Sequence, residues 1–158
     1  MLKKIKNIVL KTDRLLYKKF GSDKSTKPLE NIKEAKTIFS YLNDIGKESK
    51  VRFVGGCVRK AICGENIDDI DLATSLEPDE VKKRLNRENI KVVDTGISHG
   101  TVTAILNKKK FEITTLRKDV STDGRHAKVQ FTSNWEEDAS RRDFTINAIY
   151  ADIEGRIF

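Results

Sequence analysis

The chain has 158 residues, of which 35% are charged, and its 31 basic and 24 acidic side chains give a net charge of +7. This length suits one ordinary domain with a helical arm, and the charge suits a polyanionic partner such as RNA or a nucleotide. No apolar run approaches a transmembrane helix, so the sequence predicts a soluble protein without a membrane partner. The two cysteines, Cys57 and Cys63, are too few for a disulfide framework and predict a cytoplasmic location.

The first 27 residues differ in character from the rest of the chain. Residues 1–20 are basic and apolar by turns with rough helical spacing, which predicts a solvated helical arm. A membrane-surface or targeting helix is the alternative, because Lys and Arg dominate the polar face. The polar stretch GSDKSTK at 21–27 has no periodicity and predicts a linker. We therefore divide the chain into an arm with its linker at residues 1–27 and one domain at residues 28–158.

The elements of this domain follow in chain order. Apolar residues at helical spacing predict a helix that opens at Pro28 and closes at Gly46. Two shorter helices are expected, one from Gly-Gly through Cys63 and one from Pro78. Short apolar or alternating runs predict five strands: 51–54, 69–73, 92–93, 101–106 and 111–116.

The later part of the chain has fewer apolar runs. The polar turn NKKK at 107–110 joins two predicted strands and indicates a hairpin. We expect a long polar loop over 117–134, a helix starting at Trp135-Glu136, and a strand that turns at Glu154-Gly155. The pattern as a whole predicts an α+β fold, with a single mixed sheet and helices on one side.

The stretch NIDDIDLATS at 66–75 places carboxylates within a strand. Residues two apart share a face of a strand, so Ile70 and Leu72 point inward while Asp69 and Asp71 point the other way. Their backbones are then about 7 Å apart, at a rise of about 3.3 Å per residue. Two like charges this close repel each other, and a divalent cation would remove the conflict. The pair therefore predicts a metal site.

The stretch GGCVRK follows the first strand and opens a helix. Its glycines let backbone N–H groups approach a phosphate closely, and Arg59 adds a fixed positive charge one turn into the helix. Gly-Gly alone more often marks a tight turn, and D-x-D alone is frequently a capped loop. Together the two motifs are far more specific, because a strand is followed by Gly-Gly, a helix and then a second strand that carries D-x-D. It predicts a triphosphate cradle beside a metal-binding edge.

Three segments, taken together, resemble a known family. VRFVGGCVRKAICGENIDDIDLATS, HGTVTAILNKKKFEITTLRKD and DGRHAKVQFTSNWEEDASRRDFTINAIYAD resemble, in order, motifs of the class II tRNA nucleotidyltransferase and bacterial poly(A) polymerase family. The similarity runs from about Ile32 to the last residue. It implies the polymerase β-like nucleotidyltransferase fold, with a mixed, mainly antiparallel sheet flanked by helices. The implied reaction transfers AMP or CMP from ATP or CTP to an RNA 3′-hydroxyl, in CCA addition to tRNA or in polyadenylation.

The resemblance also implies roles for individual residues. Asp69 and Asp71 match the catalytic pair that holds Mg²⁺ ions between the triphosphate and the attacking hydroxyl. Four residues form the implied nucleotide-binding set: Gly55, Gly56, Arg59 and Arg117. Asp143, in RRDFTINA, matches a residue regarded as part of the poly(A) polymerase site, and we expect it to be catalytic. Glu112 competes for that supporting role, and an ion pair of Asp143 with the neighbouring arginines is nearly as good an explanation.

The two histidines do not indicate a metal site. Neither His99 nor His126 has Cys or carboxylate partners at metal-ligand spacing, so no zinc site is predicted.

The chain departs from the family pattern in two ways. Lys60 stands where the family usually has Asp, so local ion pairing should differ. The chain also stops at Phe158, before the neck whose EDxxR helix selects CTP and ATP and before the body and tail that hold tRNA. We therefore expect only the triphosphate and metal half of the site, with little turnover by this chain alone. The alternatives are a non-catalytic RNA- or nucleotide-binding module, or a subunit completed by a second chain that supplies neck and body.

Overall fold

The computed structural model describes residues 27–122 and 127–158. Residues 1–26 of the predicted arm and His126 lie outside these ranges. The described helices are α1 Lys27–Glu30, α2 Lys33–Leu42, α3 Gly56–Cys63, α4 Pro78–Arg87 and α5 Trp135–Ser140, with 3₁₀ turns at Ile97–His99 and Thr145–Asn147. The described strands are β1 Val51–Val54, β2 Ile70–Thr74, β3 Lys91–Gly96, β4 Thr101–Leu106, β5 Lys109–Thr115, β6 Arg117–Thr122, β7 Ala127–Phe131 and β8 Tyr150–Ala151.

Six strands form the main sheet in the order β3-β4-β5-β2-β1-β8. Every neighbouring pair is antiparallel except β2 and β5, which run parallel. The predicted mixed, mainly antiparallel sheet is therefore confirmed. No helix among the described residues is long and apolar enough to cross a membrane.

One face of this sheet forms the hydrophobic core. Phe53, Leu72, Ile113 and Val102 lie in register across four strands and are almost completely buried. Helices α2, α3 and α4 pack their apolar stripes against this face. Burying each of these large side chains stabilises the fold by roughly 1.5–3 kcal/mol.

The opposite face carries polar side chains. Asp71, Glu112 and Thr103 lie in register across β2, β5 and β4, because each is offset by one residue from its core neighbours. Near β1 this second face is covered by α5, where Trp135 packs against Val54 and its neighbours. The expectation that the helices lie on one side is therefore wrong for α5.

Two predicted elements differ from the structure. The single helix expected from Pro28 is two helices, because Ile32 adopts extended backbone angles (φ −79°, ψ 98°) before α2 begins. The long polar loop expected over 117–134 contains the hairpin β6–β7, which forms a second, two-stranded sheet. Its backbone pairing was hidden because its strands are largely polar and lack a continuous apolar face.

The chain end forms the expected turn. The Phe158 backbone N–H donates to the Tyr150 carbonyl at 2.9 Å, and Asp152 N–H donates to the Arg156 carbonyl at 3.0 Å. The turn around Glu154-Gly155 is thus confirmed.

Candidate active site

Three carboxylates lie together on the polar face of the sheet. Asp69 directly precedes β2, Asp71 is its second residue, and Glu112 is the register partner of Asp71 on β5. Asp69 and Glu112 are exposed, whereas Asp71 is half-buried. Burial, followed by the charges of Glu112 and Asp69, raises the pKa of Asp71. The site therefore concentrates negative charge that a cation would neutralise.

The structure places the two competing supporting carboxylates differently. Glu112 shares a groove with Asp69 and Asp71. Asp143 is exposed, and its backbone carbonyl accepts a hydrogen bond from the Asn147 side chain at 3.2 Å. It lines neither of the two grooves described below. Glu112 is therefore the better-placed partner of the acid pair, and the catalytic role of Asp143 stays a prediction.

Two grooves meet at Asp71. The first, here called the arginine groove, has a volume of about 300 Å³ and contains the Gly55-Gly56 turn. Its other polar lining side chains are Asp71, Thr101, Thr114, Arg117, Arg141, Arg142 and Asn147. The second, here called the lysine groove, has a volume of about 750 Å³ and carries acidic residues as well as lysines. Its charged lining residues are Glu65, Asp68, Asp69, Asp71, Lys108, Lys109, Lys110 and Glu112.

The Gly-Gly turn lies beside Asp71. Gly55 has φ 69° and ψ −123°, a conformation that side chains other than glycine rarely adopt. Its N–H donates to the Ile149 carbonyl at 3.0 Å. Cys57, in the first turn of α3, donates weakly through Sγ to the Asp71 carbonyl at 3.5 Å. The glycine turn therefore lies beside Asp71, one of the two predicted aspartates.

The two glycines should respond differently to alanine. Gly55→Ala should lower the free energy of unfolding by about 1–3 kcal/mol, because the left-handed backbone is strained for any side chain. Gly56→Ala should leave stability unchanged, since no atom lies within 4 Å of its added Cβ. That methyl group would stand in the arginine groove, so Gly56→Ala should instead weaken nucleotide binding. Thermal unfolding measures the loss of stability, and calorimetric titration with CTP measures the loss of binding. A Gly55→Ala variant as stable as the wild type would contradict the claim that the backbone at position 55 is strained for other residues.

A buried aspartate binds two of the arginines that line the groove. Asp138 is fully buried and accepts from Arg141 Nη2 at 2.7 Å and from Arg142 Nε at 3.0 Å. Tyr150 donates its hydroxyl to the same carboxylate at 2.7 Å, and the Arg117 backbone N–H donates at 3.2 Å. Asp138 thus binds two guanidinium groups and the Arg117 backbone. Because Arg117, Arg141 and Arg142 all line the groove, positive charge exceeds the single charge of this carboxylate.

Arg117 has spare hydrogen-bonding capacity. Its Nη1 donates to the His99 carbonyl, while its buried Nε–H has no partner among the residues described. Burial and the neighbouring Arg141 lower the pKa of Arg117. A phosphate oxygen would satisfy this donor and relieve the repulsion between the guanidinium groups.

Arg59 lies beside the arginine groove without lining it. Its Nη1 donates to Asn147 Oδ1 at 2.9 Å, and Asn147 does line the groove. Next to Arg59 in α3, Lys60 Nζ lies 3.1 Å from Asp68 Oδ2.

Comparison with known proteins identifies the family. The sequence pattern of the poly A polymerase head domain matches residues 51–158. The chain belongs to this family. The motif resemblance noted in the sequence is thereby confirmed.

The relatives of this head domain carry consistent names. CCA tRNA nucleotidyltransferase 1, mitochondrial, from Homo sapiens is 44% identical over 115 residues, which are 72% of this chain and 26% of that protein. The CCA-adding enzyme of Lactobacillus delbrueckii subsp. bulgaricus is 42% identical over 126 residues, 78% of this chain and 30% of that protein. The chain therefore spans between a quarter and a third of the length of these relatives.

Solved structures show the same head fold. The crystal structure of Bacillus stearothermophilus CCA-adding enzyme in complex with CTP matches with a TM-score of 0.68 and 38% identity, over 84% of this chain and 30% of that one. A tRNA nucleotidyltransferase complexed with a primer tRNA and an incoming ATP analog matches with a TM-score of 0.52 and 27% identity, over 68% and 30%.

The donor set of the head domain suits Mg²⁺. Within residues 27–122 and 127–158, no three His, Cys, Asp or Glu side chains are arranged to hold a metal ion by themselves. Mg²⁺ commonly takes only one or two protein carboxylates and completes its octahedron with water and substrate phosphates. Asp69 and Asp71 supply two such carboxylates beside a groove with phosphate-binding groups, so the residues fit the ion.

Sequence reasoning missed the arginine cluster and its organiser. It considered Arg141 and Arg142 only as ion-pair partners of Asp143, whereas both bind Asp138. The available signal was spacing, because Asp138 precedes the two arginines by three and four residues, a helical ion-pair pattern.

Proposed function

We propose that this head domain transfers AMP or CMP from ATP or CTP to the 3′-hydroxyl of an RNA. The observation that carries this proposal is the arginine groove. It combines a Gly-Gly turn, three arginines and the edge of an acidic cluster in one place. This combination suits phosphoryl transfer, since catalysis there depends on positioning the phosphates and neutralising their charge.

The relatives favour CCA addition to tRNA over polyadenylation. Those compared above are named CCA-adding or CCA tRNA nucleotidyltransferases, and solved members contain CTP, or a primer tRNA with an ATP analog. Because the chain spans less than a third of each, tRNA binding and base selection by the whole protein belong to this proposal. The proposal also includes three further points. Residues 1–27 form an arm, a second chain supplies the neck and body, and the protein is located in the cytoplasm.

In this proposal each residue has a defined task. Asp69 and Asp71 would hold Mg²⁺, which when bound makes the RNA hydroxyl a better nucleophile and neutralises charge on the leaving pyrophosphate. Arg117, Arg141 and Arg142 would neutralise the triphosphate.

The glycine turn and Arg59 would complete the nucleotide site. Backbone N–H groups at Gly55-Gly56 would donate to phosphate oxygens. Arg59, whose guanidinium group is oriented by its hydrogen bond to Asn147, would add positive charge beside the groove. Glu112 would support the acid pair from the neighbouring strand.

Binding and incorporation assays test the proposal. Calorimetry should show that the protein binds CTP and ATP, and that Mg²⁺ strengthens this binding. Labelled CTP and ATP should then be incorporated into tRNA lacking its 3′ end, by the chain or by the chain combined with a neck-and-body polypeptide. Absence of any Mg²⁺-dependent nucleotide binding would overturn the proposal. Binding without incorporation in either assay would favour a non-catalytic module.

A further inference from the structure

We propose that Lys108 and Lys110 bind phosphate groups of the RNA strand next to its 3′ end, within the lysine groove. This inference rests on the proposed function and names the protein surface that takes the second substrate. Lys108 lies in the tight turn that joins β4 to β5, and Lys110 is the second residue of β5.

The turn is fixed in place by α2. Asn107 and Lys108 have positive φ angles of 50° and 67°, which form a tight two-residue turn. Lys109 Nζ lies 2.7 Å from Glu34 Oε2, and Asn107 Nδ2 lies 3.4 Å from Glu34 Oε1. Lys109 is thereby neutralised and anchors the turn. Its two neighbours are held at the rim of the groove.

Lys108 and Lys110 keep their charges available. Both are exposed, and within the described part of the chain neither has an ion-pair or hydrogen-bond partner for its ammonium group. Lys110 precedes Glu112 by two residues on β5 and therefore lies on the same face, about 7 Å away at the backbone. Glu112 is the register partner of Asp71. The charges of Lys108 and Lys110 therefore lie next to the carboxylates of Glu112 and Asp71.

The position of the groove points to RNA as the ligand. In an in-line displacement the attacking hydroxyl and the leaving pyrophosphate lie on opposite sides of the transferred phosphorus. In the proposed function the arginine groove holds the triphosphate, and this groove meets the lysine groove at Asp71. The hydroxyl should therefore arrive through the lysine groove.

The groove also has room for the rest of a nucleotide. Its volume is about 750 Å³, and Ile32 and Ile67 contribute apolar surface to its lining. Apolar side chains can receive a sugar or base while the lysines bind the phosphates, as in other single-strand sites.

The test uses the double variant Lys108→Asn/Lys110→Gln. Asparagine tolerates the positive φ at position 108, so the turn is preserved while two charges are removed. The matched control is Lys47→Gln/Lys83→Gln, which removes two exposed lysines that make only long ion pairs, 3.7 Å and 3.6 Å, outside the groove. The probe is a fluorescent RNA minihelix with a single-stranded 3′ end, measured by anisotropy.

We expect the double variant to bind this RNA about tenfold more weakly, with the slope of log K against log salt reduced by about 1.4 for two lost single-strand contacts. The control should match the wild type, and CTP affinity in Mg²⁺ should stay unchanged. An RNA with methylphosphonate at its last two linkages should bind the wild type about tenfold more weakly but should not weaken the double variant further.

The outcomes separate this inference from the proposed function. Wild-type RNA affinity in the double variant, or an unchanged methylphosphonate effect, would overturn the lysine contact. Loss of CTP binding together with RNA binding would place the lysines at the triphosphate and overturn it too. If the RNA effects appear but the wild type binds no CTP, the lysine contact stands and the proposed transferase function fails.

Discussion

Replacing Asp71 with asparagine should stabilise the metal-free protein and remove its response to Mg²⁺. Asp71 is half-buried beside Glu112 and Asp69, and its raised pKa shows that the folded state disfavours its charge. A neutral side chain of the same shape should therefore raise Tm by about 2 °C, which corresponds to somewhat less than 1 kcal/mol once solvent screening is considered. Mg²⁺-dependent CTP affinity should fall on the order of a hundredfold.

The chain offers a matched control in Asp68. It lines the same groove but is exposed and pairs with Lys60. Asp68→Asn should alter neither Tm nor nucleotide affinity by much. Differential scanning calorimetry with and without Mg²⁺, followed by CTP titration, measures both quantities. A destabilised Asp71→Asn protein would contradict the charge repulsion at this site. Unchanged Mg²⁺ dependence would contradict the proposal that Asp71 is a metal ligand.

Replacing Asp138 with asparagine should have the largest effect on stability. Asp138 is the buried counter-charge of Arg141 and Arg142, and its loss leaves both guanidinium groups with uncompensated charge. Breaking a buried ion pair from one side costs about 3–5 kcal/mol, so we expect Tm to fall by about 10 °C. Because the same residue positions the arginines, CTP affinity should also fall about tenfold below the unfolding transition.

The pH dependence of this effect has a definite sign. Burial alone would raise the pKa of Asp138, but Arg142, Tyr150 and Arg141 outweigh it and hold the pKa below its usual value. The stabilisation is therefore fully present above the unfolded-state pKa of about 3.9 and disappears as pH falls through the lower folded-state pKa. Wild type and variant should differ constantly between pH 5 and 8 and converge below about pH 4.

Tyr150→Phe is the control for Asp138→Asn. It removes the hydroxyl that donates to the carboxylate and accepts from Arg142 Nε at 3.1 Å, but keeps the ring that packs on Trp135. The loss should therefore be only about 1–2 kcal/mol. Burial and the bond to Asp138 raise the pKa of Tyr150, so its hydroxyl remains a donor at neutral pH. Equal losses for the two variants would indicate that the hydrogen bond, and not the ion pairs, stabilises this cluster.

Much of the fold was predictable because its signals are local. The alternation in NIDDIDLATS placed Ile70 and Leu72 in the core and Asp71 on the other face, as observed. The hairpin at NKKK and the final turn at Glu154-Gly155 were visible from turn residues alone. The break at Ile32 and the hairpin β6–β7 were missed because apolar spacing continues through the first and is absent from the second.

The sequence by itself determined the acid pair, the glycine turn and the family, since each depends on residues adjacent in the chain. Tertiary structure alone decided that Glu112 lies beside Asp71, that Asp138 binds the Arg117 backbone, and that Asn147 holds Arg59. These contacts join elements distant in the chain, and the order of strands in the sheet, which no local pattern specifies, brings them to one edge of the polar face.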